Sequence, residues 1–173
     1  MTLHVYGANS KRKMRAAFQP LSVVELTYDV NPTRVVPVVS TIEPLYLPER
    51  VYADIRRQSV ALFVTEMLML TLTHPMQDER MYEFIDAFVH ELNDNPVPEN
   101  LHILFMLRLA ELLGIGTPDV GGHLSDKDSA ITALSLSRTQ RRQLLHRLCD
   151  YYLEHVESFR QPKSLDILTE VFD

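Results

Sequence analysis

Apolar and polar residues fall in short β-prone runs up to residue 46 and then switch to a helical period. Leu3 to Tyr6 is short and β-prone, Leu21 to Val30 reads LSVVELTYDV, and Val35 to Ile42 reads VVPVVSTI. Runs so rich in Val, Thr, Tyr and Leu predict three strands. Asn31, Pro32 and Thr33 favour a tight reversal, so the second and third strands form an antiparallel hairpin. Pro37 has no N–H to give a ladder and belongs on an edge or at a bulge.

From Pro48 the spacing is that of helices. Arg50 to Leu72 carries Ile55, Val60, Leu62, Phe63, Met67 and Leu70, and its second half is apolar nearly all round. That pattern predicts one buried central helix, ended by His74 and Pro75. Met81, Phe84, Ile85, Phe88, Val89 and Leu92 make an amphipathic stripe over Asp78 to Leu92, closing at NDNP. Pro98 suits a first helical turn, Leu101 to Leu113 is strongly apolar, and the Gly-Ile-Gly of residues 114–116 supplies a stop. Residues 116–128, GTPDVGGHLSDKD, hold three of the five glycines and read as an exposed loop. Ser137 with Gln140 makes a capping box for a helix whose stripe runs Leu145, Leu148, Tyr152, Val156 and Phe159, with the arginines largely off it. Ser164 caps a last short helix with Leu165, Leu168 and Phe172 on one face. The expected fold is α+β and mainly α: about three antiparallel strands over residues 1–46, then an all-helical domain over residues 47–173.

A chain of 173 residues, 46% hydrophobic, can bury a core of one domain or at most one and a half. No apolar run is long enough to span a bilayer, and the start MTLHVYGA lacks the apolar core of a signal peptide, which predicts a soluble, cytoplasmic protein without membrane contact. Cys149 is the single cysteine, so an intrachain disulfide and a cysteine-rich zinc site are excluded. The net charge of -6 is unevenly placed. Residues 1–20 hold Lys11, Arg12, Lys13 and Arg15 and no acid; residues 129–149 hold Arg138, Arg141, Arg142 and Arg147, again with no Asp or Glu. An anionic partner responds to such local patches, because charge is screened over about 10 Å.

The seven histidines include no HExxH pair, and there is no Gly-rich phosphate loop or GxSxG elbow, so no catalysis and no cofactor is expected. His90 and His102 read as packing or surface histidines. Asp78 with Glu79, and Glu91 with Asp94, sit where carboxylates cap helices and meet the helix dipole. Cys149 reads as an inert core thiol. The Met-rich EMLMLTL of residues 66–72 suits either an irregular core or an adaptable partner groove. The cluster KRKMR at residues 11–15 is either a solvated loop or a contact to a phosphate backbone, which would be salt-sensitive and tolerant of sequence.

The stretch SKRKMRAAFQPLSVVELTYD resembles the part of RecO-type DNA repair proteins where a basic loop and a Gln-Pro turn precede a long strand of the N-terminal OB-fold. RRQSVALFVTEMLM looks like the family's first long helix, NLHILFMLRLAELLGI like the helix that ends at a Gly-containing loop, and PKSLDILTEVFD is similar to the ending of the Bacteroidetes branch. Family members normally begin with two more strands, so the resemblance implies a partial OB-fold, whose open edges would pair with a second copy or leave residues 1–46 poorly ordered. The four-cysteine zinc module of some members is replaced by GTPDVGGHLSDKD. The resemblance implies a non-enzymatic recombination mediator that binds single- and double-stranded DNA, promotes annealing, and loads recombinase with RecR and the single-stranded-DNA-binding protein. Lys11, Arg12, Lys13 and Arg15 match the family's basic loop and would contact phosphates. Arg138, Arg141, Arg142 and Arg147 would meet DNA or the acidic tail of the single-stranded-DNA-binding protein. The alternative is a helical interaction module with little DNA affinity of its own.

Overall fold

The computed structural model describes residues 17–31, 35–73, 78–96, 98–116 and 136–172. The chain divides into two compact units, Met1–Glu49 and Arg50–Asp173. The fold is α+β and mainly α. The expected strand at Leu3 to Tyr6, the turn residues Pro32 and Thr33, His74 with Pro75, and residues 117–128 of the glycine-rich loop lie outside the described residues.

In the first unit β1, Val23–Asp29, pairs antiparallel with β2, Val38–Tyr46, as the two β-branched runs predict. The second strand starts and ends later than VVPVVSTI suggested. Pro37 cannot donate to a ladder, and pairing begins with the next residue. Two irregularities follow. Val23 opposes Tyr46 while Val24 opposes Pro44, leaving Leu45 as an extra residue that is well exposed. Thr27 opposes Thr41 while Tyr28 opposes Val39, and the intervening Ser40 turns its hydroxyl back to donate to the Thr27 carbonyl at 3.0 Å.

The helical sequence resolves into six α-helices among the described residues. Helix α1, Glu49–Ala53, and α2, Ile55–Thr71, replace the single helix expected over Arg50 to Leu72. The break is Asp54, whose backbone is extended and whose carboxylate accepts from the Arg56 N–H at 2.8 Å, a local N-cap that apolar periodicity does not register. Val60, Phe63, Val64 and Met67 are buried, so α2 is the central helix its composition predicts, yet Met69 of the Met-rich segment is exposed. Helix α3, Glu79–Asp94, is capped by Asp78, which accepts from the Arg80 N–H at 3.0 Å. A 3-10 turn at Pro98–Asn100 leads into α4, Leu101–Leu112, which ends where Gly114 takes φ +72°, a conformation glycine adopts without strain. Helix α5, Arg138–His155, opens with the Ser137–Gln140 capping box, and α6, Ser164–Phe172, follows.

Helix α2 packs on α4 and α6, and α4 packs on α3 and α5. Phe105 of α4 meets Phe84 and Phe88 of α3 at ring distances of 5.1 and 4.7 Å. Two buried polar groups hold the bundle in register. Arg57 of α2 donates from one guanidinium nitrogen to the carbonyls of Leu92 and Asn95 at the end of α3, at 2.7 and 2.6 Å. The Tyr152 hydroxyl of α5 donates to the Met106 carbonyl of α4 at 2.6 Å. Cys149 is buried in the same layer, and burial, helped by the charge of Asp150, pushes its thiol up to about 12, so it stays protonated.

Candidate functional site

The first turns of α5 carry the basic island. Helical spacing places Arg138 and Arg142 one turn apart on a shared face, with Arg141 beside them turned toward α4 and α6. The Arg141 Nε donates to Asn100 Oδ1 at 3.0 Å, which anchors the guanidinium against the start of α4. Its carbon centre lies 5.9 Å from the centroid of the Phe172 ring, within cation–π range. These side chains border a recess completed by His102, Leu145, Leu168 and Thr169.

His102, on α4, forms the inner wall of that recess and is 1% exposed. Neither ring nitrogen has a hydrogen-bond partner among the described residues. Burial, and secondarily the positive charge of Arg141, pushes the imidazole down to about 3. The ring is therefore neutral at physiological pH, offering one N–H and one bare nitrogen. Phe63 meets it edge-on at 6.2 Å and Phe172 stacks on it at 5.9 Å with a 29° tilt. A shallower hollow continues from the recess through Arg142 and Thr169 to His146, Asp166 and Glu170, so the arginine side is basic and the α6 side carries acids.

Of the four arginines expected to act together, the structure brings together Arg138, Arg141 and Arg142. Arg147 is exposed and lies outside the recess, because five residues along a helix turn it well away from Arg142. The basic loop residues Lys11, Arg12, Lys13 and Arg15 lie outside the described residues. Sequence reading missed His102 and Phe172 as parts of this site. Phe172 was visible only as part of an apolar stripe, and nothing local joins three helices at one point. Among the described residues no group of three or more His, Cys, Asp or Glu side chains could hold a metal ion, and no helix is long and apolar enough to cross a membrane.

Residues 52–119 match the family model described as Recombination protein O C terminal. The chain is 29% identical to the DNA repair protein RecO of Porphyromonas gingivalis, over 92% of this chain and 80% of the relative. It is 26% identical to the DNA repair protein RecO of Flavobacterium johnsoniae, over 97% of this chain and 85% of the relative. With the Bacteroides fragilis protein of the same name the identity is 21%, over 90% and 79%. No solved structure matches significantly. The resemblance to RecO-type DNA repair proteins is borne out, and the matched relatives come from the Bacteroidetes branch it pointed to.

Proposed function

We propose that this chain, a RecO-type DNA repair protein by residues 52–119 and by likeness over most of its length, is a non-enzymatic mediator of homologous recombination that acts in the cytoplasm. In this reading Lys11, Arg12, Lys13 and Arg15 neutralise phosphates of single- and double-stranded DNA. The recess at the start of α5 docks a protein partner. RecR and the single-stranded-DNA-binding protein are the partners with which the chain promotes annealing and loads recombinase.

The observation that carries the reading is the convergence of Arg138, Arg141 and Arg142 on a recess whose other walls are largely apolar. An acidic peptide with an apolar tip complements such a site, pairing carboxylates with guanidinium groups and burying its end. The DNA half of the proposal is tested by titrating a labelled single-stranded oligonucleotide at several salt concentrations. Each phosphate neutralised adds about 0.7 to the logarithmic salt slope. Lys11→Glu combined with Arg12→Glu is expected to weaken binding and flatten that slope. Unchanged affinity and slope would leave the alternative, a helical interaction module without useful DNA affinity.

A further inference from the structure

Helix α2 is the central helix of the bundle, yet one strip of it stands clear of the core. Ile55, Leu62 and Met69 are 64, 41 and 74% exposed. They recur every seven residues, so they lie on one face of the helix, each about 10 Å from the next. Gln58 and Thr65 fall between them on that face and complete the three-four spacing by which one helix meets another. Neither needs a polar partner from outside. Gln58 Nε2 donates to the Tyr52 carbonyl at 2.6 Å, and Thr65 Oγ1 donates to the Ala61 carbonyl at 2.8 Å. From Gln58 to Gln77 the one Asp, Glu, Lys or Arg is Glu66, whose carboxylate is held by Lys163 and Ser164. An exposed helix face without free charge is the chemistry of a helix contact, since a solvated face carries charged and polar side chains.

We propose that this strip is a self-association surface, on which α2 of a second copy packs antiparallel about a two-fold axis at Leu62. The spacing argues for that occupant. Ile55 and Met69 stand seven residues to either side of Leu62, so a two-fold there sets Leu62 against Leu62 and each Ile55 against the Met69 of the other copy. The strip thus complements itself, whereas it has no free charge with which to select an acidic or a basic partner. An antiparallel pair also sets opposed helix dipoles side by side. Met69 suits such a contact, because an unbranched thioether repacks around its neighbours. A single pair of helices about 25 Å long falls short of the roughly 1,200 Å² that stable complexes bury, so the dimer is reversible and forms with concentration. Each copy carries a net charge of -6, and added salt favours the dimer by screening that repulsion. None of Ile55, Leu62 and Met69 borders the α5 recess, so the surface is independent of the docking role proposed above.

The test is sedimentation velocity of the full chain over about a hundredfold range of concentration, joined to cysteine cross-linking. The wild type is expected to pass from monomer to dimer, at lower concentration when salt is added. Leu62→Glu sets two like charges together at the axis and should raise the dissociation constant at least about tenfold. The native Cys149 is buried, so introduced cysteines report alone. Leu62→Cys is expected to form a disulfide-linked dimer under mild oxidation faster than Leu153→Cys, a control at a 45% exposed position of α5. Mixed in equal amounts, Ile55→Cys and Met69→Cys should link to each other in preference to themselves. Preferential self-linking of each would mean a parallel pair and overturn the two-fold at Leu62. Dimers that persist unweakened in Leu62→Glu place the contact elsewhere and overturn the proposal. So does a wild type that stays monomeric with Leu62→Cys no faster than its control; a loss of stability in monomeric Leu62→Glu would then show the strip to be covered within the chain. Should Leu62→Glu not fold, the cysteine pairs decide.

Discussion

The carboxylate of Glu66, on α2, closes the N-terminus of α6: it accepts from the Lys163 N–H at 2.9 Å, from the Ser164 N–H at 2.8 Å and from the Ser164 hydroxyl at 2.6 Å. The sequence predicts that Ser164 caps its own helix. Its hydroxyl donates instead, and the cap comes from another helix, satisfying N–H groups that a helix start leaves without partners. Glu66→Ala is expected to lower stability by about 2 kcal/mol, since three charge-assisted bonds are lost at a partly buried site. Thermal unfolding should show a midpoint several degrees lower. Loss of α6 also removes Phe172 from the recess.

The same contact has a pH signature. Burial alone would raise the Glu66 carboxyl, but the bonds from Ser164 and Lys163 and the charge of Lys163 outweigh it, so the group titrates below its ordinary 4.5. A carboxylate depressed in the fold contributes stability that is complete above its unfolded value and is lost as pH falls through the folded one. The stability gap between wild type and Glu66→Gln should therefore be constant above 4.5 and shrink below it. A gap that stays constant to low pH in denaturant titrations would contradict the cap.

Much of this architecture is legible in the sequence. The β-branched runs located the hairpin, the apolar stripe located α3, and Ser137 with Gln140 marked the start of α5, because each signal is local and repeats at the period of its element. Asp54, Arg57 and Glu66 were not legible. Their roles depend on groups outside the apolar pattern, and for Arg57 and Glu66 on partners 35 and 98 residues away. The candidate site divides in the same way. An acid-free run announced Arg138, Arg141 and Arg142, whereas the recess they border needs α4 and α6 to bring His102 and Phe172 to them.

Arg57 provides a second test of packing. It is nearly fully buried and holds the carbonyls of Leu92 and Asn95, with Asp54 3.6 Å from its Nε. Arg57→Met keeps the stem but strands the carbonyls of Leu92 and Asn95, at about 3 kcal/mol. Arg57→Lys can satisfy one of them and should recover part of the loss. Denaturant midpoints for the three proteins are expected in the order wild type, Lys, Met.

His102 predicts the opposite kind of variant. A histidine depressed from 6.5 to about 3 is neutral in the fold and charged in the unfolded chain at mildly acidic pH. The unfolded state then binds more protons, so stability falls as pH drops below 6.5, by up to about 1.4 kcal/mol per pH unit for this group. His102→Leu removes the proton site and two ring nitrogens that lack partners among the described residues. It should equal or exceed the wild type in stability at neutral pH and lose much of the acid sensitivity. An identical pH dependence in both proteins would mean that His102 is not buried in solution.

Arg142 and Arg147 separate a specific recess from a general basic surface. Arg142 lines both the recess and the hollow that continues from it, while Arg147 lies outside both. If docking used only the charge of the island, removing either side chain would weaken an acidic peptide equally, and added salt would erase the effect of both. If the recess positions the peptide, Arg142→Ala should cost about tenfold in affinity, a value typical of one charge-assisted contact. Arg147→Ala should cost less than about twofold, as a screened surface charge does. Calorimetry with an acidic peptide ending in Phe, at low and physiological salt, reads both. Equal losses for the two variants would show that the island acts through its summed charge and that the recess does not define the site.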